Sequence, residues 1–426
     1  MASTGLSKTF STNGTNNKKG TFSFWMKRTG LTEVNLGMSV AGAAGGTAGL
    51  YIPSSNKLYM YLAYDGSGWQ GEFITNRLFR DTNAYYHIVL TWDTTQATSS
   101  DRLKLYVNGV QETSFQSISY PPQDNVTTFG TARAHTINYW NNGAYFDGVM
   151  SHFHYTDGYS YDASAFGQFD ANGVWTIKTD VSVTYGTNGF FILKDGNSVT
   201  DQSGNSNNWT VASGTLTNTE DNPSNVFCTM NPLDKSSSLT LSNGNTTTIS
   251  SSASWMPCKA TIGMLGQSGK FYWEGKCLSG TNHYFGVYDA SGTVRGSVQS
   301  DMDSNRFVYV YNGGFERTIT GQSSLSGYAT FGNGDVIGVA LDKENGTITF
   351  YKNGTQIYTE THSSLQTKDL IPGTQSYNST IQWNFGNGYF GTTAVASAGT
   401  NASGIGIFEY DVPTGYTALS TKGLDL

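Results

Sequence analysis

The strongest constraint on the fold is a short segment that occurs twice, an Asn-Gly pair between two runs in which apolar and polar residues alternate. The two copies are LKLYVNGVQ at residues 103–111 and ITFYKNGTQ at residues 348–356. A two-residue type I′ turn requires positive φ at both central positions, which Asn tolerates and Gly adopts freely. We therefore predict a β-hairpin at each copy, and the structural turn residues are Asn108, Gly109, Asn353 and Gly354.

The same period-two alternation continues through most of the chain, with turn residues between the runs. Composition agrees with this pattern, since 51 Gly, 26 Tyr and 23 Phe accompany only 8 Pro, and charged residues make up 13%. Aromatic residues and Thr favour pleated, half-buried surfaces, whereas Gly and Asn favour turns. Only residues 161–170 suggest a turn of helix. The sequence therefore predicts an all-β protein.

The patterned strands fall into two blocks. We predict a first sandwich at residues 1–195, a connector at 196–230, a second sandwich at 231–392 and a C-terminal tail at 393–426. An ordered or semi-flexible connector is predicted because polar turn formers dominate there and apolar residues are few. Each block is long enough to bury a core of its own without a disulfide, since domains of this size bury about 70% of their unfolded surface.

The second block resembles a SPRY domain of the B30.2 type. The resemblance rests on SGKFYWEGKC at 268–277, YFGVYD at 284–289, GDVIGVALDKENGTITFYKNG at 334–354 and IPGTQSYNSTIQWNFG at 371–386, in the order of that family. The first block resembles the laminin-G-like, or concanavalin A-like, family. The matching segments are GTFSFWMKRTG at 20–30, YHIVLTWD at 86–93, LKLYVNGVQ at 103–111 and YFDGVMSHFHYTDG at 145–158.

Both families share a two-sheet antiparallel jelly roll. The resemblances therefore imply an all-β chain with two antiparallel β-sandwich (jelly-roll) domains in tandem, a concanavalin A-like domain followed by a SPRY-like domain. Two related sandwiches would account for the hairpin that occurs twice.

The order of the modules also resembles structural proteins of marine tailed bacteriophages. Three phrases add to this resemblance: SGNSNNWT at 203–210, FCTMNPLD at 227–234 and YDVPTGYTALSTKGL at 410–424. The resemblance implies a virion component, either a tail-fibre or other receptor-facing protein, or a capsid decoration or tail connector without ligand binding. It implies other virion proteins as partners, a homo-oligomer and localisation in the virion after synthesis in the host cytoplasm.

Charge and hydropathy argue against two classes of partner. The net charge is −7, and Lys18-Lys19 is the only basic cluster, whereas a nucleic-acid backbone requires several basic residues on one face. We therefore predict no binding of nucleic acid. The first residues lack the apolar segment of a Sec signal, and no run of 18 apolar residues occurs. We expect no Sec export and no membrane insertion.

Sandwiches of this kind also include glycoside hydrolases, so catalytic residues must be considered. A retaining glycosidase needs two carboxyl groups about 5 Å apart. None of the nine Glu residues shows a Glu-x-Asp-x-Glu or Glu-x-Asp-x-x-Glu spacing, and Glu274 stands alone in FYWEGK. The GxSxG, HExxH and GxxxxGK[ST] motifs do not occur. We predict that the protein is not an enzyme, with a glycan-degrading enzyme as a minor alternative.

Candidate metal ligands are few. His152 and His154 are predicted on one strand face, and Asp301, Asp303 and Asn305 begin like a calcium loop that lacks its Gly and its final acid. The laminin-G-like resemblance adds Asp147 and Asp157 at the sandwich rim as calcium candidates. The cysteines Cys228, Cys258 and Cys277 have no zinc spacing and are predicted to be reduced and buried. We predict no cofactor and no metal, with calcium as the open alternative.

Binding of host surface glycans is the favoured function, because loops at a sandwich edge can present aromatic rings beside short polar side chains. Loops 64–73, 137–146 and 311–318 have this composition. Each ring could instead pack in a core or an interface. The candidate ligand-binding residues are Trp69, Tyr139, Trp140, Tyr145, Tyr311, Phe315 and Arg317.

Overall fold

The computed structural model describes residues 4–425 except 38, 41–47, 63–69, 140–144, 195–197, 252–254, 267, 281, 293 and 295–304. The chain forms two compact units. The first comprises Met1–Asn218 and Asn222–Ser224, and the second comprises Thr219–Asp221 and Asn225–Leu426. Both are built mainly from β-strands, which confirms the predicted all-β class.

The first unit is a sandwich of antiparallel sheets. In chain order its described strands are β1 Gly5–Thr9, β2 Lys19–Arg28, β3 Val34–Asn35, β4 Ser39–Val40, β5 Gly49–Ile52, β6 Lys57–Tyr61, β7 Glu72–Leu78, β8 Tyr86–Asp93, β9 Leu103–Val107, β10 Val110–Gln111, β11 Phe115–Ser119, β12 Ala134–Ile137, β13 Gly148–Asp157, β14 Gly167–Phe169, β15 Trp175–Ile177, β16 Phe190–Ile192 and β17 Thr210–Ser213. One sheet has the order β10-β9-β8-β2-β13-β16, a second β11-β7-β6-β5-β3 and a third β17-β1-β12-β4, and β14 pairs with β15.

A single apolar core joins the three sheets of the first unit. Phe22 on β2, Leu58 on β6 and Leu6 on β1 are all buried in it. The core side chains occupy alternate positions on their strands, as Phe22, Phe24 and Met26 do on β2, which is why the period-two pattern is informative.

The second unit is also a sandwich. In chain order its described strands and helices are β18 Met230–Lys235, β19 Thr240–Ser242, β20 Thr247–Ser250, β21 Met256–Ala260, β22 Lys270–Ser279, β23 Asn282–Asp289, β24 Arg306–Val310, β25 Gly314–Glu316, β26 Val336–Asp342, β27 Thr347–Lys352, β28 Thr355–Thr361, α1 Ser363–Thr367, β29 Leu370–Tyr377, β30 Ser379–Asn384, β31 Tyr389–Phe390, β32 Thr393–Ala394, β33 Thr417–Ala418 and α2 Thr421–Leu424. None of the helices in the described ranges has the length and apolar character needed to cross a membrane.

Two sheets of the second unit enclose its main core. One has the order β18-β21-β29-β23-β24-β25, and the other has the order β19-β20-β30-β22-β26-β27-β28. Phe307 on β24 and Phe350 on β27 lie 6.0 Å apart between ring centroids, nearly parallel at 16°. Contacts of this kind across the sandwich confirm the second predicted jelly roll.

Both predicted hairpins form with the expected backbone. Asn108 and Gly109 have φ of 48° and 79°, and Asn353 and Gly354 have φ of 49° and 77°. The flanking residues pair directly, Val107 with Val110 and Lys352 with Thr355. Each turn therefore has two residues and positive φ at both positions, as a type I′ turn requires.

The Asn side chain of each turn has a further role, which the sequence did not reveal. Asn108 donates its backbone N–H to the carbonyl of His87. In return, Oδ1 of Asn108 accepts the backbone N–H of His87 at 2.7 Å. Asn353 is bound to Val336 in the same way, with Oδ1 accepting at 2.8 Å. In both units the turn Asn thus ties its hairpin to the next strand of the sheet.

The structure places the predicted connector largely inside the first unit. β17 pairs with β1, and Trp209 is only 2% exposed in the core. Asp201 organises the polar stretch before it, because its carboxylate accepts backbone N–H groups from Phe191, Ser203 and Asn207 at 2.8–2.9 Å. The abundance of Asn and Ser there reflects an ordered loop held by hydrogen bonds.

The predicted tail belongs to the second unit. β33 pairs in parallel with β22, so that Phe271 lies opposite Thr417 and Tyr272 opposite Ala418. Phe408 and Leu419 are buried. The sandwich of the second unit therefore extends beyond the predicted boundary at residue 392.

Candidate functional site

Where the structure describes them, the aromatic residues that the sequence singled out pack against neighbouring side chains. Trp69 and Trp140 lie outside the described residues. Tyr139 and Tyr145 are half-buried and stack on each other, with ring centroids 5.7 Å apart at 22°. The ring of Tyr139 also lies against Gly5, where a Cβ would come within 2.2 Å of it. The two rings pack on each other, and that of Tyr139 also packs on β1, so part of their aromatic surface is already covered.

The three predicted residues of the second unit also have structural partners. Phe315 is 0% exposed, and its ring centroid lies 4.6 Å from those of Tyr309 and Tyr358 in the core. Arg317 forms an ion pair with Glu360 at 2.8 Å. Tyr311 is half-buried and packs against the core. Phe315 therefore has the core-packing role that the sequence left open, because its side chain has no surface to offer a ligand.

An open groove of about 380 Å³ lies on the outer side of the first unit, beside the Asn108–Gly109 turn. Aromatic and polar side chains line it together. The residues that define it are Tyr106, Gly109, Asp162, Gln168, Phe169, Trp175 and Lys178. Phe169 is 54% exposed, which is unusual for so large an apolar ring.

The β14–β15 ribbon presents the two principal rings of this groove. Phe169 and Trp175 lie directly opposite each other in the ribbon, and their centroids are 4.9 Å apart at 69°. The connecting turn is held by Asp170, whose Oδ1 accepts the N–H groups of Asn172 and Val174 at 2.9 and 2.8 Å. Local hydrogen bonds therefore fix the position of the exposed ring.

A buried histidine anchors Trp175 to the sheet beneath it. The Nε1–H of Trp175 donates to Nδ1 of His87 at 2.9 Å, and Nε2 of His87 lies 2.8 Å from Oγ of Ser23. Since Nδ1 accepts, the ring proton is on Nε2 and is donated to Ser23. Burial lowers the pKa of His87 to about 3, so the ring is neutral at ordinary pH. The far side of His87 stacks on Trp25, 4.5 Å away at 12°.

Two glycines make room for the indole of Trp175. A Cβ at Gly109 would lie 2.3 Å from this ring, and one at Gly167 would lie 2.4 Å from it. The floor of the groove is therefore the indole ring of Trp175, which packs directly on the backbone of these two glycines.

Polar groups beside the rings supply hydrogen-bonding capacity. Oδ1 of Asp162 accepts the N–H of Ser164 at 2.9 Å, and Nζ of Lys178 donates to the carbonyl of Ser164 at 2.7 Å. Asp162 and Gln168 are exposed. An aromatic surface beside a carboxylate, an amide and an ammonium group can hold a molecule that has both apolar faces and hydroxyl groups.

This groove was not found from the sequence, although a signal was present. The segment FDANGVW, residues 169–175, has one aromatic residue before an Asp-Ala-Asn-Gly turn and one after it. The sequence suggests a turn of helix at residues 161–170, and the structure has a short 3₁₀ turn at Ala163–Ala165 followed by the ribbon. Because an exposed and a buried ring have the same sequence pattern, only the packing of the ribbon identifies Phe169 as accessible.

The strand that carries the two histidine candidates is irregular at this pair. A bulge in β13 between Ser151 and His154 breaks the register, and His152 has φ of 49°. His154 is buried, with Nδ1 2.8 Å from the hydroxyl of Tyr185. A shared face would require a regular strand through both histidines. The strand is not regular there. Within the ranges that the structure describes, no group of three or more His, Cys, Asp or Glu is arranged to hold a metal ion.

The calcium candidates have the following environments. Asp147 accepts the hydroxyl of Thr29 at 3.0 Å. Oδ2 of Asp157 accepts the N–H groups of Thr15 and Asn188 at 2.6 and 2.9 Å, whereas its buried Oδ1 has no hydrogen-bond partner among the described residues. Asp301 and Asp303 lie outside the described residues.

The cysteines Cys228, Cys258 and Cys277 are all buried, and none of these three described residues is in a disulfide bond. Burial raises the pKa of the Cys258 and Cys277 thiols well above the usual value, which makes both poor nucleophiles.

The isolated carboxylate of Glu274 is a structural anchor. It is fully buried, and it accepts the N–H groups of Glu409 and Tyr410 at 2.9 Å each, together with the hydroxyl of Tyr272 at 3.1 Å and the amide of Asn384 at 3.3 Å. Burial raises the pKa of Glu274 to about 7. Its position beneath residues 409–410 explains why a Glu occurs alone on this strand.

Comparisons with known proteins agree with the two folds. Residues 4–158 match the family model of the concanavalin A-like lectin/glucanases superfamily, and residues 270–388 match that of the SPRY domain. No curated protein sequence matches the chain.

Three solved structures match part of the chain as follows. The SPRY domain of human HERC1 is 20% identical, with 36% of this chain and 96% of that chain covered and a TM-score of 0.30. Stonustoxin is 19% identical, with 37% and 27% covered and a TM-score of 0.30. The PSpry domain of TRIM65 is 18% identical, with 37% and 88% covered and a TM-score of 0.29. On its two family matches, the chain contains a concanavalin A-like domain followed by a SPRY domain.

Proposed function

We propose that the chain is a non-enzymatic, lectin-like binding protein that recognises glycans on a host cell surface through the groove of its first unit. The observation that carries this proposal is the exposed ring of Phe169 in a groove that also contains Asp162, Gln168 and Lys178. Sugars combine apolar ring faces with hydroxyl groups, so an aromatic surface beside polar side chains suits them.

Affinity at a single shallow groove would be modest. A millimolar dissociation constant corresponds to about −4 kcal/mol, and display of many copies raises the apparent affinity by about 10²–10⁴. The proposed function is therefore that of a multivalent protein. We propose that it is displayed on a virion, as a tail-fibre or other receptor-facing component and as a homo-oligomer. This part of the proposal is supported by the resemblance of segments 203–210, 227–234 and 410–424 to virion structural proteins.

A binding role is favoured over hydrolysis by the arrangement of the acidic residues. The spacing of the Glu residues lacks the paired pattern of a retaining glycosidase. Glu274, whose pKa is raised in the manner of a general acid, lies beneath residues 409–410 and accepts their N–H groups. Its hydrogen bonds support an anchoring role.

Binding can be tested on a glycan array. The purified chain is biotinylated and clustered on streptavidin beads before it is applied. We expect binding to a subset of glycans and a loss of about fivefold or more per site in Phe169→Ala, because one ring contact contributes about 1 kcal/mol. Val174→Ala is the matched control, since Val174 is 57% exposed on the same ribbon but does not line the groove. An array without binding, or equal loss in both variants, would contradict the proposal.

The role in the virion requires a separate measurement. The clustered wild-type chain should compete with virus particles for adsorption to host cells, whereas the Phe169→Ala chain should compete poorly. If particles depleted of the protein adsorb normally but lose physical integrity, the alternative of a capsid decoration or tail connector is correct instead.

A further inference from the structure

Asn-Gly pairs recur along the chain, and each one brings together two groups that can react. The backbone nitrogen of Gly can attack Cγ of the preceding Asn, because Gly has no Cβ to hinder the approach. A succinimide ring forms as the Cγ–Nδ2 bond breaks, and the Gly N–H proton leaves with Nδ2 as ammonia. Water then opens the ring, which leaves either aspartate or isoaspartate in place of Asn. The surroundings of each pair decide whether the attack occurs in the folded chain.

The two hairpin turns hold their Asn side chains fixed. In Asn108–Gly109 and Asn353–Gly354, Oδ1 of the Asn accepts a backbone N–H from the neighbouring strand at 2.7 and 2.8 Å. An aromatic ring also covers the Gly of each pair. The Asn side chain must lose its hydrogen bond before the succinimide can form. Both turns are therefore protected while the chain is folded.

Two other pairs have an Asn side chain that is not held in this way. Among the Asn-Gly pairs in the described ranges, only in Asn172–Gly173 and Asn333–Gly334 does the Asn side chain lack a hydrogen-bond partner among the described residues. Both Asn residues are exposed. In the second pair the Gly N–H donates to the carbonyl of Cys277 on β22 at 2.7 Å, whereas in the first it donates to Asp170 within the same turn at 3.1 Å. The attacking nitrogen is therefore held less firmly in Asn172–Gly173.

The turn of the β14–β15 ribbon, which contains this pair, is open to water. Residues 171–174 are all exposed, and a Cβ at Gly173 would have nothing within 4 Å. Neither ring closure nor the entry of water is obstructed there. The same turn joins Phe169 to Trp175, the two principal rings of the groove. A change in the backbone of this turn therefore reaches the groove directly.

We propose that Asn172 is a site of spontaneous deamidation in the folded chain, and that its conversion to isoaspartate distorts the groove at Phe169. In isoaspartate the backbone runs through the side-chain carboxyl carbon, which lengthens the turn by one carbon atom. Oδ1 of Asp170 accepts the N–H groups of residues 172 and 174 at 2.9 and 2.8 Å, and the added atom lies between these two groups. The turn cannot keep both bonds, so the two rings no longer lie opposite each other. The resulting loss of glycan binding rests on the proposed function, whereas the modification itself does not.

Peptide mapping tests the modification. The purified full chain is kept in warm, mildly alkaline buffer, sampled over time, digested and analysed by mass spectrometry with fragmentation that separates aspartate from isoaspartate. We expect conversion at Asn172 first and at Asn333 later. Conversion at Asn108 and Asn353 should be about tenfold or more slower than at Asn172, because a hydrogen bond must first be lost.

Incubation in concentrated urea is the matched control. Unfolding removes the hydrogen bonds at every pair, so the rates at Asn108 and Asn353 should rise to that at Asn172. The proposal is overturned if Asn108 or Asn353 converts as fast as Asn172 in the folded chain. It is also overturned if Asn172 converts in urea but stays intact in the folded chain.

Hydrogen exchange measures the effect on the turn without reference to any ligand. The amide of Val174 should exchange faster in incubated wild-type chain that contains isoaspartate at position 172, because its bond to Asp170 is lost. Asn172→Gln is the matched variant, since the longer side chain closes a larger ring more slowly and the exposed position tolerates the change. Its Val174 amide should stay protected after the same incubation. Unchanged protection in converted wild-type chain would overturn the proposed distortion.

Glycan binding separates this inference from the proposed function. Fresh wild-type and Asn172→Gln chains should bind the array equally, and after incubation only the wild-type chain should lose binding, in proportion to its isoaspartate content. Full binding by converted wild-type chain would overturn the effect on the groove. If neither fresh chain binds any glycan, the proposed function fails, while the peptide map and the Val174 amide still decide the modification and the distortion.

Discussion

At the scale of the residue, the two Asn-Gly turns share more than their backbone conformation. The indole of Trp175 lies over Gly109, and the ring of Tyr410 lies over Gly354, where a Cβ would come within 2.6 Å of it. Both rings come from segments later in the chain than the hairpins they cover. Glycine is therefore required at each position for two reasons, its positive φ and the ring above it.

These two requirements can be separated by substitution. Gly109 and Gly173 have nearly equal φ, 79° and 77°, but a Cβ at Gly173 would have nothing within 4 Å. We expect Gly173→Ala to destabilise the first unit by about 1 kcal/mol from backbone strain alone. Gly109→Ala should cost about 1–3 kcal/mol more, because the indole of Trp175 must move.

Urea unfolding followed by tryptophan fluorescence measures this difference. The result also bears on function, since displacement of Trp175 would disturb the floor of the groove. Equal destabilisation by both substitutions would show that the ring above Gly109 adapts without cost.

At the scale of the element, the C-terminal segment is held on the second unit by a buried acid. Glu274 on β22 accepts the N–H groups of residues 409 and 410, and Phe408 packs on Tyr272 with ring centroids 5.1 Å apart. A polar anchor of this kind fixes the register of a segment that has little secondary structure of its own. It also makes the docking of this segment dependent on pH.

The sign of this dependence follows from the direction of the pKa shift. The pKa of Glu274 is about 7 when the segment is docked, against 4.5 for a free Glu, because burial disfavours the charged form. At pH values between these two pKa values, the docked state binds more protons than the released state. The free energy of docking therefore weakens as pH rises, by at most about 1.4 kcal/mol per pH unit. The stabilisation is fully present below about pH 4.5 and lost above about pH 7.

Hydrogen exchange of the Glu409 and Tyr410 amides, corrected for intrinsic rates, should therefore show protection that falls between pH 5 and 7. Glu274→Gln removes the titrating group and should flatten this profile. Protection that rises with pH in the wild-type chain would mean that the hydrogen bonds from the two amides outweigh the effect of burial.

At the scale of the whole molecule, each sandwich is completed by a segment that its sequence pattern did not include. Residues 198–217 supply β17 and Trp209 to the first unit, and residues beyond 392 supply β33 to the second. In both cases the added segment is rich in polar turn residues and has few apolar side chains. Trp209 in the first segment, and Phe408 and Leu419 in the second, are nonetheless buried, which is why the segments are integral to the fold.

Fragments can test where the first unit ends. We expect residues 1–218 to unfold cooperatively in urea, whereas residues 1–195 should lose about 3–5 kcal/mol of stability, the usual cost of removing a buried Trp, or fail to fold. Trp209→Ala in the 1–218 fragment is the control that isolates the side chain from the strand. A 1–195 fragment as stable as 1–218 would restore the boundary predicted from the sequence.

The sequence by itself determined the features that depend on local chemistry. The type I′ turns at Asn108–Gly109 and Asn353–Gly354 follow from backbone preferences of two residues, and the alternation on strands such as β9 follows from the pleat. The order of the two sandwiches followed from motifs in their strands, and both family matches confirm it.

Only the tertiary structure decided which rings are accessible and which polar segments are integral to a core. Phe315 and Phe169 both lie on short strands beside polar residues, yet one is fully buried and the other is 54% exposed. The burial of a ring depends on which distant segment packs on it. The residues next to the ring in the sequence do not identify that segment. For the same reason the groove at Trp175 forms only when separate parts of the chain are brought together.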